Sequence, residues 1–139
     1  MELKRVVVTG LGAVTPVGNN PEETWANLLA GKSGAAPITL FNTEMFKTKF
    51  ACEVKDLNVT DYIDRKEMRK MDRYCQLAMI SAMQGIKDAN IDVETEDLDR
   101  VGVIFGVGIG GIKTFQDEVT YYGQHEDRHR SPPLYHHPR

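Results

Sequence analysis

Val6-Val7-Val8-Thr9-Gly10-Leu11-Gly12-Ala13-Val14-Thr15-Pro16-Val17-Gly18 is the stretch whose reading decides the fold. Its first part, residues 5–10, is a continuous β-branched run stopped by glycine. A run without polar alternation is the pattern of a central strand covered on both faces. The glycines and Pro16 then make a loop. Asn20 stands at an N-cap position, Pro21 at the first helical position and Glu23 three residues after the cap. That is a capping box with the preferred N-terminal proline. Trp25, Leu28 and Leu29 should form the apolar face of this helix, and Gly31 should end it.

The same logic extends outward. Val101-Gly102-Val103-Ile104-Phe105 is a second buried-type strand, and Lys49-Phe50-Ala51-Cys52-Glu53-Val54 is a weaker strand candidate. The spacing predicts one long helix over residues 66–89, behind Asp64 as cap and Glu67 as its box partner. At ~100° per residue, Met71, Cys75, Ala78, Ala82 and Ile86 share one side of it. Lys66, Arg69, Lys70 and Arg73 share the other. An acidic loop over residues 92–99 precedes the second strand, and a further helix is expected over residues 112–122. Alternating strands and helices predict an α/β fold with a largely parallel sheet and flanking helices. About three strands fall short of the usual sheet of ~5, so residues 1–123 read as the first part of a larger domain. Residues 124–139 read as an irregular tail, because they hold all four histidines and three of the six prolines.

Composition narrows the function classes. The chain has 139 residues, 41% hydrophobic and 27% charged, which is ordinary for a soluble globular domain. No run approaches the ~20 apolar residues of a membrane helix, and the charged start lacks the features of a signal peptide. Cys52 and Cys75 form no CxxC pair, so a reducing, cytoplasmic setting is expected, with no disulfide framework or metal ribbon. A net charge of −3 argues against a globally basic nucleic-acid binder.

Several motifs in the chain also have simpler readings. Gly106-x-Gly108-x-x-Gly111 matches a dinucleotide fingerprint between strand and helix. The required acid at the end of a second strand is missing, because Glu126 and Asp127 lie in the tail. Gly10-x-Gly12 is weaker still, with Thr15 at the third glycine position. His125-Glu126-Asp127-Arg128-His129 spells a zinc-protease signature. It has neither an apolar face nor room for the rigid helix that zinc chemistry needs, and reads as fortuitous. Cys52 and Cys75 read as packing residues, since neither is expected at a helix N-terminus in a cleft. The basic stripe Lys66, Arg69, Lys70 and Arg73 is by default a solvated face. In an acidic protein it is also a docking surface for an acidic partner.

These segments together resemble the β-ketoacyl-acyl carrier protein synthases, most closely the elongating synthase II type. Val6 to Gly18 is similar to the family's opening strand and loop. Tyr62-Ile63-Asp64-Arg65-Lys66-Glu67-Met68-Arg69-Lys70-Met71-Asp72 is similar to its D-R-K-E-x-R-K-M-D segment, and Gly106-Val107-Gly108-Ile109-Gly110-Gly111 to its G-x-G-I-G-G turn. The resemblance implies a thiolase-like fold, a homodimer when full length, and decarboxylative condensation of a malonyl thioester with an acyl thioester, without metal or organic cofactor. It implies that Ile109 gates the acyl pocket between the mobile glycines Gly108, Gly110 and Gly111. It implies that Lys66, Arg69 and Lys70 dock acyl carrier protein. Neither cysteine matches the family's nucleophile, and no tail histidine matches its histidine pair. Ser131-Pro132-Pro133-Leu134 departs from the family pattern, as a reading-frame error would. The rival readings are a non-catalytic remnant that binds carrier protein and, more distantly, a nicotinamide-binding domain.

Overall fold

A computed structural model describes residues 4–124. The histidine-rich motif at 125–129 and the rest of the tail lie outside the described residues. In chain order the elements are helix α1 (Pro21–Leu29), strands β1 (Ala35–Pro37) and β2 (Phe50–Cys52), and helices α2 (Arg65–Met68), α3 (Arg73–Asp88) and α4 (Ile112–Gln124). Short 3-10 turns occupy Val59–Asp61 and Leu98–Arg100. The chain divides into two compact units: residues up to Asn58 with Met79–Gly102, and Val59–Ala78 with the residues from Val103 onward.

In the first unit, α1 starts as its sequence dictates. Asn20 is extended, and its side-chain oxygen accepts the Glu23 N–H at 2.8 Å. The Glu23 carboxylate reaches back one residue past the cap and accepts the Asn19 N–H at 2.8 Å, a variant of the expected capping box. The Glu23 N–H and the N–H just before the cap thus both have acceptors. Gly31 ends the helix with φ of 66°, a left-handed conformation that glycine adopts without strain. The expected apolar face is not enclosed: Trp25 is 63% exposed, and with Leu28, Leu11 and Pro21 it lines an open groove.

The loop from Gly10 to Ala13 lies directly on the second half of α3. A Cβ on Gly12 would collide with the Ser81 carbonyl and sit 2.7 Å from the Gly85 nitrogen, and one on Gly10 would strike the Gly85 carbonyl. Asp88 Oδ2 accepts the Leu11 N–H at 2.8 Å, and Gln84 Oε1 accepts the Ala13 N–H at 3.0 Å. Gln84 also donates to the Asn19 carbonyl at 2.8 Å. Gly10-x-Gly12 is therefore a packing device that lets backbone meet helix, and α3 side chains one turn apart take its alternate N–H groups. Ile80 is fully buried in this unit.

Two expectations about strands are corrected. Neither residues 5–10 nor residues 101–105 enter a ladder, and Val8 and Ile104 are exposed. A strand of this kind is defined by neighbours on each side, and the described residues supply none to either run. The one sheet among them is antiparallel, pairing Ala35 with Cys52 and Pro37 with Phe50, rather than the largely parallel sheet expected. The weaker strand candidate is the one that forms. Cys52 lies on it and is exposed, which removes the packing role expected of it.

The long helix expected over residues 66–89 is also corrected, because it breaks after Met68. The Lys70 N–H bonds to the Glu67 carbonyl at 2.9 Å and the Met71 N–H to the Met68 carbonyl at 3.2 Å, the tighter pattern that closes a helix. The Gln76 side-chain amide donates to the Met68 and Met71 carbonyls at 3.3 and 3.2 Å. It thereby gives the Met71 carbonyl a donor and adds a second one to the Met68 carbonyl, which already accepts the Met71 N–H. Val59 and Ile63 are buried in this second unit. No helix among the described residues is long and apolar enough to cross a membrane.

Candidate functional site

The residues singled out for docking and gating all belong to the second unit. Asp64 caps α2, its carboxylate accepting the Lys66 N–H at 2.7 Å. A carboxylate there also opposes the positive end of the helix. Glu67, expected to close a capping box with Asp64, instead binds forward. Its Oε1 lies 2.7 Å from Lys70 Nζ. Arg69 is the C-cap of α2, and Lys70 lies on the turn that follows. Lys66, Arg69 and Lys70 are all exposed, but they do not share one face of a continuous helix as expected. They follow the last turn of α2 into the break. Arg73 opens α3, where its guanidinium donates to Gln76 Oε1 at 3.4 Å.

Glycine controls the other part of the site. Gly110 has φ of 73°, the left-handed region, and Gly111 leads into α4. A Cβ on Gly111 would press into the Asp72 carboxylate. That carboxylate accepts a hydrogen bond from the Thr114 hydroxyl, on the first turn of α4. Asp72 and Thr114 thus tie the basic segment to the glycine turn. Ile109, on the glycine turn, is 82% exposed. Gly108 has open space around its Cβ position, consistent with a turn that packing does not restrain.

Sequence reasoning missed Thr114, Gln76 and the bond made by Asp72. Asp72 carried a readable signal: it is a helix-starting residue type inside a supposed helix. Thr114 carried none, since its partner is 42 positions away. The break also moves Cys75 from a helix interior to the first turn of α3. The neighbouring Tyr74 phenol is held above its ordinary value, chiefly by a side-chain hydrogen bond with the Cys75 sulfur and then by charge on that sulfur.

Comparison with known proteins bears on this arrangement directly. Residues 3–137 match the family described as beta-ketoacyl synthase, N-terminal domain, a span that takes in most of the polar tail. The chain is 44% identical over 120 residues to 3-oxoacyl-[acyl-carrier-protein] synthase 2 of Synechocystis sp. (strain ATCC 27184 / PCC 6803 / Kazusa), covering 86% of this chain and 29% of that relative. Among solved structures it is similar to the ishigamide ketosynthase/chain length factor, with TM-score 0.75 and 30% identity over 92% of this chain and 32% of that one. A type II polyketide synthase acyl-carrier protein in complex with its ketosynthase is also similar, with TM-score 0.70 and 26% identity over 87% of this chain and 31% of that one. The chain therefore spans less than a third of the length of these relatives, and its fold is the N-terminal portion of a thiolase-like α/β ketosynthase. It belongs to the beta-ketoacyl synthase family, as that family's N-terminal domain.

Proposed function

We propose that this chain is the carrier-docking and acyl-gating portion of a 3-oxoacyl-[acyl-carrier-protein] synthase of fatty-acid elongation. In the reaction, a malonyl thioester loses carbon dioxide, and the resulting enolate carbon attacks the carbonyl of an enzyme-held acyl thioester. The enzyme thiolate leaves and a 3-oxoacyl thioester forms, with no metal or organic cofactor required. The chain's own contribution is binding and positioning. Lys66, Arg69 and Lys70 meet an acidic helix of the acyl carrier protein, and Ile109 gates the acyl pocket on the Gly108, Gly110 and Gly111 turn.

The observation that carries this reading is the Thr114–Asp72 hydrogen bond, beside a Gly111 whose position leaves no room for a Cβ next to the same carboxylate. It joins the segment that would hold the carrier to the turn that would admit its acyl chain. A similar ketosynthase seen in complex with an acyl-carrier protein supports the choice of partner. The proposed charge pairs lie at an exposed rim, so they chiefly speed encounter and orient the partner, and salt screens them over ~10 Å at 0.1 M. The test is carrier binding to the chain before and after Lys66→Glu, Arg69→Glu and Lys70→Glu are combined. Reversal should weaken binding and flatten its salt dependence. Unchanged binding would return the segment to a solvated face.

Neither Cys52 nor Cys75 is assigned the nucleophile. Cys52 sits exposed on a two-stranded sheet, and Cys75 lies beside Tyr74, whose proton it helps to retain. Neither cysteine stands in a segment similar to the family's nucleophile motif, which supports a second reading in which the 139-residue chain binds carrier without condensing anything. Clear turnover of radiolabelled malonyl-carrier by the purified chain would overturn it.

A further inference from the structure

Of the three cations proposed to dock the carrier, one already has a carboxylate. Lys70 Nζ lies 2.7 Å from Glu67 Oε1, with 61% of the Lys70 side chain and 51% of the Glu67 side chain exposed. The pairing is built into the backbone. The Lys70 N–H bonds to the Glu67 carbonyl at 2.9 Å, so the turn that ends α2 sets the two side chains over one another. Among the described residues, Lys66 and Arg69 have no carboxylate at ion-pair distance.

Resting on the docking reading above, we infer that Glu67 is a built-in competitor for Lys70 that sets which acidic partners the basic turn accepts. A partner carboxylate that reaches Lys70 must displace the Glu67 carboxylate and leave it solvated. For a partner whose acidic group reaches Lys70 alone, that exchange replaces one carboxylate by another and gains almost nothing. A partner whose acidic groups also reach Lys66 and Arg69 gains there and can displace Glu67. The device therefore favours multiply acidic surfaces over weakly acidic ones, a specificity obtained by raising the threshold for the wrong partner. An exposed pair of this kind is weak enough to exchange, with a worth of about two- to fivefold in an equilibrium constant.

Lys113 and Asp117 provide the control. They form an exposed pair of the same kind on α4, at 2.8 Å, with no role in the docking reading. The full 139-residue chain, captured sparsely on a sensor surface, is titrated with acyl carrier protein at low and high salt. Glu67→Gln should tighten binding about two- to fivefold at low salt, and the gain should vanish at high salt. In a Lys70→Ala background, Glu67→Gln should change binding no more than Asp117→Asn does. Equal effects of Glu67→Gln and Asp117→Asn in the otherwise unaltered chain would overturn the inference, because only general charge would be at work. So would a Glu67→Gln gain undiminished by Lys70→Ala. If combined reversal of Lys66 and Arg69 leaves binding untouched, the docking reading falls and takes this inference with it. If that reversal abolishes binding while Glu67→Gln changes nothing, the docking reading stands and the competitor role alone is lost.

Discussion

The Thr114 hydroxyl donates to the Asp72 carboxylate, and this one bond ties the first turn of α4 to the segment between α2 and α3. Both residues are part-buried, so the bond is formed partly out of water, where a charged acceptor gains most from a fixed donor. Thr114→Val should cost about 1–2 kcal/mol of stability, read from urea denaturation, and Thr114→Ser should restore most of it. Gly111→Ala drives a methyl group into the same carboxylate and should break the same bond. The two changes together should then cost clearly less than their sum, because each removes one shared interaction. Strict additivity would show that Gly111 and Thr114 act on different things.

Two glycines facing each other should respond in opposite directions. Gly12→Ala would place a methyl against the Ser81 carbonyl and the Gly85 nitrogen, both backbone atoms of a helix that cannot yield. It should destabilise the chain by about 1–3 kcal/mol through overpacking. A Cβ on Gly85 would lie 3.6 Å from the Gly12 nitrogen, an ordinary contact. Since alanine is favoured over glycine in a helix by about 1 kcal/mol, Gly85→Ala should be neutral or stabilising. Thermal melts of the two variants side by side decide the matter.

Acid should loosen the β1–β2 connection. The Thr39 hydroxyl donates to Glu53 Oε2 at 2.7 Å, and the Thr39 and Leu40 N–H groups also donate to this carboxylate. These bonds, the hydroxyl first, hold the Glu53 carboxyl below its ordinary value of 4.5, with the nearby Lys55 charge adding slightly. A depressed carboxyl contributes stability above its unfolded value and loses it as pH falls through the folded one. Thr39→Val should raise the Glu53 midpoint part of the way back and shrink that acid loss, as followed by carboxyl-carbon NMR titration. A midpoint unmoved by the substitution would place the cause elsewhere.

Exposed apolar runs should make the isolated chain adhesive. Val6, Val8, Val103 and Ile104 all face solvent, with Ile104 96% exposed. An uncovered β-branched run offers both apolar surface and unpaired backbone to a second chain. The purified chain should bind an environment-sensitive hydrophobic dye and associate as its concentration rises. Ile104→Lys with Val6→Lys should reduce both effects, measured by fluorescence and light scattering.

Local rules made α1 and α4 legible from the sequence. Asn20, Pro21, Glu23 and Gly31 act within a few residues of one another, so their meaning does not depend on the rest of the chain. The family was legible too, because three motifs stood in order along the chain, and matching needs no geometry. What tertiary structure alone decided were relationships across distance. Helical periodicity assigned Lys66 and Arg73 to one face, but the helix ends at Met68 and a new one starts at Arg73, with the Gln76 side chain bonding carbonyls at the break. Gly10 and Gly12 made only a weak, incomplete dinucleotide fingerprint in the sequence, and the helix lying across them shows what they do: they admit Gly85. The strand assignments for residues 5–10 and 101–105 failed for a related reason. A helix satisfies its hydrogen bonds within its own sequence, whereas a strand becomes one only when another segment pairs with it. Asp72 could be read as a helix start from its residue type. That its carboxylate belongs to Thr114 follows from the fold alone.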